Sequence, residues 1–145
     1  MSYSIDANLL LYASDRESPW NRAALDFLAR IPARAEILCL AWPTVMAYLR
    51  IATHPAIFAS PLAPAEAEAN VEGLIALPKV RVISEQEDFW PIYRRLSGER
   101  PVRGNLVPDA HLAALLLQHG VGTLYTRDRD FLKFPALRVR DPFAD

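Results

Sequence analysis

The chain has 145 residues, 52% of them hydrophobic and 23% charged, with a formal net charge of -1. That fits one compact domain over residues 1–145 with its own core, and it excludes a whole-molecule basic field, so any nucleic-acid contact needs a local patch. Cys39 is the one cysteine, which excludes an intramolecular disulfide and a cysteine-rich zinc site.

Mean hydropathy is +0.06, slightly apolar for a soluble protein, which hints at a covered apolar surface or a partner. Lys79 and Lys133 are the only lysines and the other basic residues are arginines. Arginine suits bidentate phosphate contacts, although a GC-rich coding sequence gives the same bias. No apolar run reaches the length of a membrane span, and no basic, apolar and cleavage-site sequence marks a signal peptide. A cytoplasmic protein without membrane contact is expected.

Tyr3 to Ile5 reads as a short strand and Ala7 to Tyr12 as the start of a buried helix. Ser18-Pro19 suits a helix start, and Trp20, Ala23, Ala24, Phe27, Leu28 and Ile31 then recur at helical spacing up to Pro32. Glu36 to Leu40 is a second strand. Pro43 opens a helix to Thr53 with Val45, Met46, Leu49 and Ala52 on one face. Phe58 to Leu62 is a loop, and Pro64 opens an amphipathic helix that stops at Pro78. Val80 to Ile83 alternates like a strand. Ser84 and Glu87 have capping-box spacing before a helix carrying Phe89 to Leu96, with a kink expected at Pro91. Ser97 to Leu106 is a polar loop. Pro108-Asp109 opens a helix, apolar nearly all round, that Gly120 ends. Thr123 to Tyr125 and Leu137 to Val139 are the last strands, with the charged turn Thr126 to Phe131 between them. Strands separated by helices throughout argue an α/β fold with a parallel sheet, whose functional groups belong at the carboxyl ends of the strands.

Three carboxylates follow from that placement. Asp6 comes directly after the first strand and Asp128 after the strand Thr123 to Tyr125, which puts both at one sheet edge. Asp109 stands in the first turn of the buried helix leading into that strand. Each has a local explanation, as turn, cap or helix-dipole partner. Together they repel unless a cation is present, and Mg²⁺ or Mn²⁺ suits an all-oxygen site. Such a site fits metal-assisted phosphodiester cleavage, with arginines holding phosphates. A phosphoacceptor receiver domain would need an acid after a middle strand and a lysine after a late one. Here the middle strands end in Leu40 and Ile83, and Lys133 lies beyond the last turn.

Ser4-Ile5-Asp6-Ala7-Asn8-Leu9-Leu10 resembles the opening motif of the PIN-domain ribonucleases. Asp109-Ala110-His111-Leu112-Ala113-Ala114 resembles their third acidic motif and Thr126-Arg127-Asp128-Arg129-Asp130-Phe131 their fourth. Leu49-Arg50-Ile51-Ala52-Thr53-His54-Pro55 and Pro61-Leu62 resemble the VapC-type toxins of type II toxin–antitoxin pairs. The match runs in order from Ser4 to about Pro142. The resemblance implies a PIN-like three-layer α/β/α fold around a central parallel sheet of about four to five strands. It implies a Mg²⁺- or Mn²⁺-dependent endoribonuclease toxin, RNA as substrate, a cognate antitoxin as partner, and a homodimer.

By the same resemblance Asp6 and Asp109 are metal ligands and Asp128 a ligand or the orienter of one. Asn8, Arg103 and Asn105 are candidate substrate contacts or supports of the ligands. Asp130 is expected to be a cap or surface charge. One departure stands out: Ala47 occupies the place where most of the family carries a second acid, usually Glu. Either fewer carboxylates hold the metal, with waters and the side chains of Asn8 and Asn105, or activity is weakened. The second possibility leads to the alternative of a PIN-like module that binds RNA or a protein without cleaving. His54 and His111 are expected to be packed or surface residues, and Trp20, Trp42 and Trp90 core residues, one of which could stack on a base.

Overall fold

The computed structural model describes residues 1–144. Its sheet has five parallel strands, β1 (Ser2–Ile5), β2 (Ile37–Ala41), β3 (Val80–Ile83), β4 (Thr123–Tyr125) and β5 (Arg138–Arg140), in the order β3-β2-β1-β4-β5. Parallel pairing needs crossovers, and helices supply most of them. They are α1 (Ala7–Ser14), α2 (Asn21–Ala29), α3 (Trp42–Ala52), α4 (Pro64–Ile75), α5 (Phe89–Glu99) and α6 (Leu106–Gln118).

Alternation along β2 separates the two faces of the sheet. Leu38 and Leu40 pack with Leu9, Phe27, Val45 and Ala67 from α1 to α4. Cys39 and Ala41 pack with Leu96 of α5 and Ala113 and Leu116 of α6. These are the three layers expected. The apolar helix is buried as predicted: Ala110 and Leu112 to Leu116 of α6 are all covered. Each leucine taken from water there contributes about 1.5–3 kcal/mol. Gly120 ends that helix at φ +71, a left-handed conformation that glycine adopts without strain.

From β1 the chain steps outward to β2 and β3, then returns to build β4 and β5 on the other side of β1. The direction of winding therefore reverses between β1 and β4, and open α/β sheets place their sites beyond the carboxyl ends of strands at such a reversal. Ile5 lies opposite Tyr125, and the Asp6 N–H donates to the Tyr125 carbonyl at 3.1 Å, so the two strand ends leave the sheet together.

Several local expectations are corrected. α2 starts at Asn21 rather than at Ser18-Pro19, because Ser18 Oγ accepts the Trp20 N–H (3.1 Å) and makes a turn. Asn21 Nδ2 then ties that turn to the carbonyls of Tyr12 and Ala13. Ser84 and Glu87 form no capping box. α5 starts at Phe89, and the preceding loop is held by α6 instead, with His119 Nε2 against the Ser84 carbonyl (2.6 Å) and the Gln86 N–H donating to Gln118 Oε1 (3.0 Å). Pro91 consequently falls in the first turn of α5, where a missing N–H costs nothing, and it makes no break in α5. Pro108 sits equally harmlessly in α6, which begins at Leu106. The tryptophans are not core: Trp42 is 41% and Trp90 61% exposed, and Trp20 is only partly covered.

Candidate active site

β1 ends at Ile5 and α1 begins at Ala7, which leaves Asp6 in extended backbone between them (φ -83, ψ 154). Its Oδ2 accepts a hydrogen bond from Thr126 Oγ1 at 2.8 Å. Burial pushes the Asp6 carboxyl up. The Thr126 bond and the nearby Ala7 and Asn8 amides pull it down, although neither amide is aligned as a cap, and the Asp128 charge raises it further.

Thr126 itself is buried, and its hydroxyl also accepts the Asp128 N–H at 2.9 Å. One hydroxyl thus joins the acid after β1 to the acid-bearing turn after β4. The sequence reading passed over this residue. A threonine directly after a buried strand and two residues before an aspartate is a pattern that favours such a local turn.

Asp128 caps a short 3-10 turn, Arg129–Lys133, by accepting the Asp130 N–H on Oδ1 at 2.9 Å. Carboxylate oxygens of Asp109, Asp128 and Asp130 all lie within 4.8 Å of one another. Asp109 reaches them from the first turn of α6. Its carboxyl is pushed up to about 6, first by burial and then by the charges of Asp128, Asp6 and Asp130, while Lys133 opposes the shift. Of the three expected acids, Asp109 and Asp128 meet directly at the β1/β4 crevice, while Asp6 lies outside that group and is joined to it through Thr126. Asp130 is exposed, as expected of a surface charge, and its Oδ1 is 3.2 Å from Lys133 Nζ, yet one of its oxygens also falls within the group. Asp128 stands at the cap rather than inside the turn, and its hold on the Asp130 N–H folds the chain so that the two carboxylates stay close.

This donor set is all carboxylate oxygen, with no His or Cys in the group. Burial, and after it the charges of Asp128, Asp6 and Asp130, raise Asp109, so negative charge is poorly compensated here. A hard divalent cation supplies the compensation, and the residues fit one.

Ala47, where the second acid was expected, is half-buried in α3. Glu36 is engaged with Arg34 (3.6 Å) at the start of β2, away from the carboxyl edge, and Glu66 accepts the Ala63 N–H at the start of α4. Asn8 is half-buried in the first turn of α1, beside Asp6. Arg103 and Asn105 are exposed on the turn before α6, where Gly104 takes φ +59. His111 faces away from Asp109 and meets Glu85 at 3.3 Å, and His54 Nδ1 accepts the Ala56 N–H.

A PIN domain model matches residues 3–137. Ribonuclease VapC48 of Mycobacterium tuberculosis is 44% identical over 144 residues, covering 99% of each chain. VapBC2 from Rickettsia felis, solved bound to a DNA fragment from their promoter, aligns over 97% of this chain and 98% of that one, with TM-score 0.71 and 14% identity. VapC20 of M. tuberculosis, described as a sarcin-ricin loop cleaving toxin, aligns over 95% and 98% with TM-score 0.68 and 14% identity. The two structural likenesses speak for the fold, and the sequence match goes further. With its acids gathered at the β1/β4 crevice, the chain belongs to the PIN-domain family and, within it, to the VapC ribonucleases.

Proposed function

We propose that this protein is a Mg²⁺- or Mn²⁺-dependent endoribonuclease, working in the cytoplasm as a single PIN-like unit and as the toxin of a toxin–antitoxin pair. The observation that carries the reading is the meeting of Asp109, Asp128 and Asp130 within 4.8 Å of one another at the sheet's winding reversal, with Asp6 tied to the same turn through Thr126. A bound divalent ion supplies a water of lowered pKa and a Lewis acid at the scissile phosphate. The chain's own contribution is to hold and orient. Asp109, Asp128 and Asp130 offer the closest oxygens, and Thr126 fixes Asp6 relative to the turn. Lys133, next to Asp130, is placed to meet a phosphate oxygen, and Asn8, Arg103 and Asn105 flank the acids on the elements that lead into them.

This protein offers an antitoxin a surface. A groove of about 750 Å³ runs between α1, α2 and α4, lined by Leu25, Leu28, Val71 and Leu74, with three acids, Asp15, Glu17 and Glu66, against one base, Arg16, among its charged residues. It suits an apolar segment flanked by cations. Trp42 and Met46, exposed on α3, offer apolar area that a second copy would cover in the expected homodimer. The reading is tested by incubating RNA with purified protein and Mg²⁺ or Mn²⁺. Cleavage should vanish with a chelator and in Asp6→Ala and Asp109→Ala; variants that cut like the parent would sink the assignment. A second reading, a module that binds without cleaving, draws on Ala47. Asp130 counts against it, because it returns a carboxylate to the cluster.

A further inference from the structure

We infer that Trp20, Arg127 and the segment Asp141–Phe143 form a clamp that positions the acidic turn Asp128–Asp130. Arg127 lies between Thr126 and Asp128, so fixing its side chain fixes the path of the turn. Its guanidinium carbon is 3.7 Å from the Trp20 ring centroid and 5.9 Å from that of Phe143. Its Nε is 3.4 Å from Asp141 Oδ2. Trp20 and Phe143 are themselves stacked, 5.4 Å apart and 9° from parallel, and Phe143 also meets Tyr12 at 6.0 Å. Asp141 braces the segment by accepting the Phe143 N–H on Oδ1 at 2.9 Å, and Pro142 is buried. The corner before α2, the turn after β4 and the chain after β5 thus meet on one guanidinium. A second link runs alongside, from the Thr126 N–H to the Arg140 carbonyl at 2.8 Å.

The turn needs such a restraint. Asp128 and Asp130 are like charges held next to Asp109, and the bonds to their amides come from side chains of the same turn, Thr126 and Asp128. Those local bonds fix the shape of the turn; buried Phe131 seats its later part in the core with α6, and the clamp holds its start, at Asp128. An arginine beside a carboxylate cluster could instead hold substrate phosphate. Here its charge is already taken up by Asp141 and the indole face, and Lys133 is the cation whose charge reaches Asp109. Arg127 is therefore a positioning residue. The clamp stands on geometry; its consequence for metal binding rests on the function proposed above.

The test is amide hydrogen exchange, followed by NMR in the metal-free protein, with calorimetric titration of Mn²⁺ on the same samples. In Arg127→Gln and Trp20→Ala the Asp128 and Asp130 amides should exchange about ten-fold faster, as loss of a cation–π contact and its ion pair implies. The Ile5 and Leu124 amides should keep their parental rates, and Trp20→Phe, which preserves the stack, should stay near the parent. Mn²⁺ affinity should fall about ten-fold in the first two variants. Trp90→Ala, which removes an exposed tryptophan stacked on Tyr93 of α5, is the control and should change neither. Unaltered Asp128 and Asp130 amides in Arg127→Gln overturn the clamp, and so does acceleration of the same size in the control. If Trp20→Ala also loosens Ile5 and Leu124, Arg127→Gln, a change at an exposed side chain, decides. Faster turn amides in a protein that binds no Mn²⁺ would support the clamp while removing the metal function.

Discussion

Replacing Asp109 by Asn isolates what the protein gives up by gathering its acids. In the folded metal-free chain this carboxyl titrates at about 6 against an ordinary 3.8. By linkage such a difference corresponds to about 3 kcal/mol, and because Asp109 keeps some contact with water we take about 1–2 kcal/mol after screening. The folded value is raised, so the unfolded chain releases its proton first. Well below pH 3.8 both states are protonated and there is no penalty. Between pH 3.8 and about 6 stability falls as pH rises, and above about 6 the whole penalty is in place. Asp109→Asn should therefore be more stable than the parent at neutral pH without metal, by about 1–2 kcal/mol or about 2–4 °C per kcal/mol in Tm. Its pH dependence should also be flatter. Urea unfolding in a chelator at acid and neutral pH measures both. Saturating Mn²⁺ should reverse the order, because only the parent gains the full binding free energy. An Asn variant less stable than the parent at neutral pH in chelator would refute the argument that a charge at Asp109, partly buried and beside other acids, costs stability.

Thr126→Val removes the hydroxyl that serves Asp6 and the Asp128 N–H. It should cost about 1–3 kcal/mol of stability and lower RNA cleavage. Thr126→Ser, which keeps the oxygen, should recover most of the cleavage. Asp130→Asn should weaken Mn²⁺ binding by about ten-fold in calorimetry if Asp130 belongs to the cluster, and should leave it unchanged if Asp130 only pairs with Lys133. Leu74→Glu adds an anion to the already acidic groove between α1, α2 and α4. Co-purification of a co-expressed antitoxin should be lost while RNA cleavage by the isolated protein stays at the parental rate.

The parts legible in the sequence were those set by periodicity and strand-end placement. Asp6 and Asp128 could be put at one edge because each follows a short apolar run, and the sheet does put Ile5 opposite Tyr125. The burial of α6 was legible because Ala110 and Leu112 to Leu116 leave little polar surface, although the helix lies on one face of the sheet and keeps His111 and Gln118 toward water. What escaped was geometry that depends on turns. Asp130 was read as a cap or surface charge and is exposed, but spacing alone does not reveal the 3-10 turn that also brings one of its oxygens near Asp109. Thr126 was passed over because a threonine after a strand has an unremarkable composition; its role arises only once β1 and β4 are neighbours. Aromatic residues were assigned to the core by hydrophobicity, yet Trp20 lies under Arg127 and Trp42 and Trp90 stay exposed. Their place is decided by what the rest of the chain brings over them, and helical spacing carries no information about that.

Crystals grown with Mn²⁺ and measured at its anomalous edge give the most direct test. A peak among the Asp6, Asp109, Asp128 and Asp130 carboxylates, absent from Asp109→Asn crystals, is the expected result. A cluster without a peak at saturating Mn²⁺, or a peak coordinated elsewhere, would contradict a divalent-metal site at the β1/β4 crevice.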